Sequence, residues 1–77
     1  MTRREMLTAF CKAGVPENGF WLGQVQDAEN VNGIAMEGNA WIVYYRSEGE
    51  LSNVYHCATL EEACDELYRR VMQSRQE

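Results

Sequence analysis

The run Ala40-Trp41-Ile42-Val43-Tyr44-Tyr45-Arg46-Ser47-Glu48-Gly49-Glu50-Leu51-Ser52-Asn53-Val54-Tyr55-His56-Cys57 is dense in aromatic and β-branched residues on both sides of a short polar break. Such side chains fit a pleated, half-buried surface, and two such stretches joined by a few residues containing Gly form a β-hairpin. Ser47-Glu48-Gly49 suits a three-residue loop with Gly49 in the left-handed conformation. That loop pairs Arg46 with Glu50, Tyr45 with Leu51, Val43 with Asn53 and Trp41 with Tyr55. Trp41, Val43, Tyr45, Leu51 and Tyr55 then share the expected core face. Ile42, Tyr44, Val54 and His56 share the other face, which is too apolar to be usual for a surface that meets only water.

Upstream, Gly38-Asn39 separates Gly33 to Glu37 from the Trp41 strand, and the pair has the chemistry of a tight turn, which predicts a third antiparallel strand. Phe20 to Leu22 is a candidate fourth. Asn32-Gly33 is also a hairpin signal, but Gly23 to Asn32 is polar, acidic and poorly alternating, and is expected to be a loop. Both ends of the chain are helical. Thr2 with Glu5 and Thr59 with Glu62 fit the capping box, in which the Thr oxygen accepts from the third amide and the Glu reaches back to the cap amide. The first helix is expected over about Arg3 to Ala13, with Met6, Leu7 and Phe10 on its apolar stripe, ended by Gly14 and Pro16. The last carries Leu60, Ala63, Cys64, Leu67, Tyr68, Val71 and Met72 on one stripe, with acidic residues in its first half and Arg69, Arg70 and Arg75 in its second, which matches the helix dipole. The predicted fold is α+β: one domain over residues 1–77 in the order α-β-β-β-α, with a three- or four-stranded antiparallel sheet and both helices packed on one face.

The chain has 77 residues, 45% of them hydrophobic and 25% charged, which is the composition of a folding domain and not of a disordered one. A chain this short buries only about 60 to 65% of its unfolded surface, and its stability is expected to be roughly 4 to 12 kcal/mol. No apolar run approaches the length of about 18 residues that marks a membrane span, and Met1-Thr2-Arg3-Arg4-Glu5 leads into an amphipathic stretch instead of an export signal. Cys11, Cys57 and Cys64 are an odd number with no pairing rhythm. Buried free thiols in a reducing cytoplasm are therefore expected.

Charge is polarised along the chain. Residues 17 to 66 hold ten carboxylates against the single cation Arg46, a sum of −9, whereas each end carries +2. Four of the ten, Glu61, Glu62, Asp65 and Glu66, are explained by helix capping, the dipole, and Asp65 to Arg69 and Glu66 to Arg70 pairs at i,i+4. The remaining Glu17, Asp27, Glu29, Glu37, Glu48 and Glu50 fall on loops and strand ends. An acidic surface of this kind selects a cationic protein partner over nucleic acid or anionic lipid.

No constellation announces chemistry. His56 and Cys57 are adjacent, but neighbours on a strand point to opposite faces and cannot form a nucleophile and base pair. The cysteines lack the Cys-x-x-Cys spacing of a zinc site. Asp27-Ala28-Glu29-Asn30-Val31-Asn32-Gly33 fails the calcium-loop pattern, because its Gly stands at position 7 instead of 6 and Gly38 occupies the place of the bidentate Glu. No Gly-rich phosphate loop is present. No catalytic residue, cofactor or metal is therefore expected. Trp21, Tyr44 and His56 stand between partial core and interface, since aromatics beside carboxylates and one Arg are what a binding surface uses as anchors.

Trp41-Ile-Val-Tyr-Tyr-Arg-Ser-Glu-Gly49, with Glu61-Glu62-Ala63-Cys64 opening an amphipathic helix, resembles a group of small bacterial immunity proteins encoded beside Rhs-type polymorphic toxins of the type VI secretion kind. Gly14-Val15-Pro16 and the aromatic, Gly-containing stretch Phe20 to Gly23 fall in the same order as in that group, so the resemblance covers most of the chain. The chain departs from the pattern at Ser47-Glu48-Gly49, where an Arg before the Gly is usual, and at Cys57, where an aromatic is expected. The resemblance implies a non-enzymatic protein that neutralises one cognate toxin by occluding its active or substrate site in a 1:1 complex. One branch of the group is similar to inhibitors of a toxin that ADP-ribosylates elongation factor Tu, and a nuclease toxin is the competing target. The expected contact residues are Trp21, Asp27, Glu29, Asn30, Glu37, Tyr44, Arg46, Glu48, Glu50 and His56. The alternative is an acidic phage or mobile-element inhibitor that mimics a polyanion and blocks a nucleic-acid-binding enzyme.

Overall fold

The computed structural model describes residues 1–23 and 25–75; Gln24, Gln76, Glu77 and the side chain of Asp27 lie outside the described residues. Five main elements follow the order α-β-β-β-α: α1 (Arg3–Ala13), β1 (Val31–Glu37), β2 (Ala40–Ser47), β3 (Glu50–Cys57) and α2 (Leu60–Arg75). Short 3-10 turns occupy Glu17–Gly19 and Val25–Asp27. The strands form an antiparallel sheet in the order β1-β2-β3, so β2 is central.

Local chemistry sets the helix ends. At α1 the box closes in both directions: Glu5 N donates to Thr2 Oγ1 at 3.1 Å and Thr2 N to Glu5 Oε1 at 2.8 Å. Gly14, at φ 77°, takes the left-handed cap position. At α2 only half of the expected box forms. Glu62 N donates to Thr59 Oγ1, but the Glu62 carboxylate takes the amide of Ala58 instead of that of Thr59. The predicted i,i+4 pairs also divide. Glu66 binds Arg70 and, one residue earlier, Arg69, each at 2.7 Å, whereas Asp65 pairs with the Met1 α-amino group at 2.9 Å. Hydrogen bonds from Arg69 and then Arg70 hold the Glu66 carboxyl below its usual range.

Both helices lie on one face of the sheet. Met6 and Phe10 of α1 and Ala63, Cys64, Leu67 and Val71 of α2 pack on Ile34, Val43 and Cys57. The other face is not open. Ile42 and Tyr44 are buried there with Ala28, against Trp21, Val25, Val31 and Ala35, so Trp21, Val25 and Ala28 form a strap across the sheet. This is why β2 buries Ile42, Val43 and Tyr44 in succession instead of alternating: a strand covered on both faces becomes a continuous apolar run. The strap is tied at several points. Trp21 N donates to Asn32 O at 3.0 Å and Ile34 N to Trp21 O at 2.9 Å, while Arg46 Nη1 donates to Val25 O. The candidate fourth strand at Phe20 to Leu22 is thus reduced to one parallel bridge between Trp21 and Gly33. The loop expected over Gly23 to Asn32 ends early, because Val31 and Asn32 pair with Arg46 and Tyr45 and lengthen β1.

The β2–β3 hairpin departs from the predicted register. Ser47 pairs with Glu50, leaving the two-residue turn Glu48-Gly49, and both turn residues have positive φ, 54° and 81°, as a type I′ turn requires. Arg46 then faces Leu51 and Tyr45 faces Ser52, but Val43 faces Tyr55. Asn53 and Val54 therefore oppose Tyr44 alone, a β-bulge, with Asn53 at φ 52°. Two residues assigned to the core from sequence move out. Leu51 is 40% exposed because the shorter turn carries it to the other face, and Tyr55 is 51% exposed because it stands on an edge strand.

Tyr44 is completely buried, and its hydroxyl has no hydrogen-bond partner among the described residues. Burial raises the pKa of that hydroxyl. An unpaired buried hydroxyl costs roughly 1 to 3 kcal/mol in desolvation, so Tyr44→Phe is expected to leave stability unchanged or to increase it in chemical denaturation. A loss above about 1 kcal/mol would reveal a hydrogen bond to that oxygen.

Candidate protein-interaction site

β1 begins beside the hairpin that joins β2 to β3, since Val31 pairs with Arg46 and Ser47 with Glu50. That register gathers Glu29, Asn30, Arg46, Glu48 and Glu50 at one end of the sheet. Glu29, Glu48 and Glu50 are exposed. The neighbours are fixed: Ser47 Oγ donates to Asn30 Oδ1 at 3.0 Å, and the half-buried Arg46 is held by the strap carbonyl of Val25. Arg46 therefore closes the strap more than it offers a free cation. The result is a small acidic surface on a turn whose geometry is set by hydrogen-bonded strands.

The remaining expected contacts are dispersed. Glu37 is exposed at the opposite end of β1, about 20 Å from Val31 at 3.4 Å per residue. His56 lies towards that end as well, exposed and opposite Ile42. Trp21 is half-buried, with its backbone joined to β1 and its ring packed on the second core. Tyr44, expected at the contact surface, is corrected to core, because the strap covers it entirely. The Asp27 side chain lies outside the described residues.

The thiols do not assemble. Cys57 and Cys64 are buried, and burial pushes both thiols up from their usual range; Cys11 is exposed, contrary to the expectation of three buried thiols. His56 points out and Cys57 in, as strand alternation requires. Among the described residues no three His, Cys, Asp or Glu side chains group in a way that could hold a metal ion, and no helix is long and apolar enough to cross a membrane.

Sequence reasoning missed the groove between β3 and the second half of α2. It has a volume of about 660 Å³ and is lined by Tyr45, Asn53, Tyr55, Arg69, Arg70 and Gln73 among others. Arg70 spans its floor, donating through Nε to Glu66 and through Nη2 to Asn53 O. The signal for this feature was Asn53 itself, a residue that strands disfavour, placed mid-strand where the bulge forms. No protein-family model, curated protein or solved structure matches the chain.

Proposed function

We propose that this chain is an immunity protein that binds one cognate toxin domain of an Rhs-type polymorphic system and blocks it by covering its active or substrate site. It acts by binding and not by catalysis, in the reducing cytoplasm, as a monomer that forms a 1:1 complex. The observation that carries the reading is that the strand register brings Glu29, just before β1, to the same end of the sheet as Glu48 and Glu50 at the β2–β3 turn, in an otherwise ordinary small domain. A toxin whose substrate is anionic, whether a nucleic acid or the dinucleotide of an ADP-ribosyltransferase, presents a cationic cleft that such a surface complements. The resemblance of the Trp41 to Cys64 cassette to immunity proteins supports the same reading.

Glu48 adds independent support. It occupies a left-handed position of a type I′ turn, where Asn or Gly is favoured and where other L-residues pay about 1 kcal/mol or more. A carboxylate held at that position against local preference fits a binding role. Glu48→Asn is therefore expected to raise stability by about 1 kcal/mol, or roughly 4 to 8 °C in thermal midpoint, while weakening toxin binding. An unchanged midpoint with unchanged affinity would remove Glu48 from the site.

Co-production with the product of the adjoining toxin gene tests the function. One tight 1:1 complex is expected. Weak, salt-sensitive capture of many basic proteins would instead favour the polyanion-mimic reading.

A further inference from the structure

We infer that the toxin adds an extended, basic segment as a fourth strand along the open edge of β3. The two edges of the sheet differ. The outer edge of β1 is closed at its middle by Trp21, which exchanges two backbone hydrogen bonds with Asn32 and Ile34. β3 is exposed from Glu50 through His56, and Leu51, Val54 and Tyr55 are 40%, 40% and 51% exposed. Natural sheets protect such an edge with Lys, Pro, a bulge or a covering element; β3 contains no Lys or Pro and no strap crosses it among the described residues, so its protection is local, at Asn53, where the bulge lies and Arg70 Nη2 donates to the carbonyl. Its one irregularity is the bulge at Asn53 and Val54, which bends the edge so that only a strand following the same bend can pair along its whole length.

Charge selects the occupant. Glu48 and Glu50 flank the start of β3, and at its other end Tyr55 lines a cleft of about 300 Å³ with three carboxylates, Glu62, Asp65 and Glu66, and one guanidinium, Arg69, which is paired with Glu66, so that end keeps a net negative charge. An antiparallel second copy would bring the Glu48 end of each chain against the Glu62 end of the other, acid upon acid, in a chain whose net charge is already −5. A segment with basic residues towards its ends meets opposite charge at both. In strand addition the main-chain bonds supply affinity and pockets for alternate side chains supply specificity. The groove between β3 and α2 provides the pocket: Tyr45, Asn53 and Tyr55 form one wall, and Arg69 and Arg70, both paired with Glu66, form the other, so the side chain it accepts is apolar or polar and the basic residues of the segment fall at its ends.

This inference rests on the immunity reading, so the test separates the two. The probe is the catalytically silenced product of the adjoining toxin gene, mixed with the full chain. In the complex, amide exchange over residues 51–56 is expected to slow at least tenfold. Val54→Lys is expected to weaken binding at least thirtyfold, while Met36→Lys, an equally drastic change at a 60% exposed position on β1, alters it less than twofold. A complex that leaves the β3 amides unprotected, or that tolerates Val54→Lys, overturns strand addition and leaves the immunity reading standing. Protection of β3 in the chain alone at a dimeric mass also overturns it and assigns the edge to a second copy. If the wild-type chain forms no complex, the immunity reading fails and strand addition fails with it. Should Val54→Lys not fold, the exchange measurement on the wild-type chain decides alone.

Discussion

Gly33→Ala is expected to be the most destabilising single-methyl change in this chain, at about 3 kcal/mol, the upper part of the range for overpacking a closed site. A Cβ at position 33 would stand 2.7 Å from Tyr44 Oη, 2.8 Å from Tyr44 Cζ and 2.8 Å from the Trp21 carbonyl oxygen. None of these can yield readily. Tyr44 is fully buried and faces Gly33 across the sheet, and the Trp21 carbonyl accepts the amide of Ile34. Gly33 is thus where a ring, a strand and the strap approach most closely, and the absence of a side chain is the condition for that approach. In a domain of this length about 3 kcal/mol corresponds to a fall of roughly 12 to 24 °C in thermal midpoint. Adding Tyr44→Phe removes the Oη clash but not the other two, so the double variant should recover only part of the loss. A Gly33→Ala protein that melts within a few degrees of wild type would show that the strap does not close on the sheet as described.

Reversing both turn carboxylates, Glu48→Lys with Glu50→Lys, is expected to slow association with the proposed toxin partner by about ten- to a hundredfold at low salt. Both side chains are exposed and neither belongs to a core cluster, so folding should be retained. The change moves net charge by +4, to −1, and places the new cations where the proposed partner's own cations would approach. Because the Debye length shrinks from about 10 Å at 0.1 M salt to about 3 Å at 1 M, the difference from wild type should narrow as salt rises. Stopped-flow association at several ionic strengths reads this directly. Rates that match wild type at low salt would place the toxin elsewhere on the molecule.

The parts of this account that were legible in the sequence are those fixed by neighbours in the chain. Thr2 with Glu5, Thr59 and Gly14 mark their helix ends by local hydrogen bonding, and the Trp41 to Cys57 run declares a hairpin by composition. The turn is one residue shorter than its composition predicts. Glu48 sits in a conformation that sequence rules reserve for Asn, Asp or Gly, so Ser47-Glu48-Gly49 resembled a longer loop. The shorter turn sent Leu51 to the other face, and the bulge at Asn53 then restored Tyr55 to the helix side. The strap was illegible for a different reason. Trp21, Val25 and Ala28 fall at i, i+4 and i+7, but Gly23 and the polar residues around them leave only a three-residue 3-10 turn in place of a helix, and their position over Ile42 and Tyr44 is a long-range packing choice. The sequence did show that the second face was too apolar for water; it did not show that the chain itself would cover it. That is why Tyr44 left the candidate site while Glu29, Glu48 and Glu50 remained.

The most direct test of the central claim is survival. If the proposed function holds, cells producing the active product of the adjoining gene are expected to arrest, to grow normally when the wild-type chain is co-produced, and to arrest again when the co-produced chain carries Glu48→Lys and Glu50→Lys at equal abundance. Arrest despite abundant, folded wild-type chain would contradict the claim that this protein neutralises that toxin.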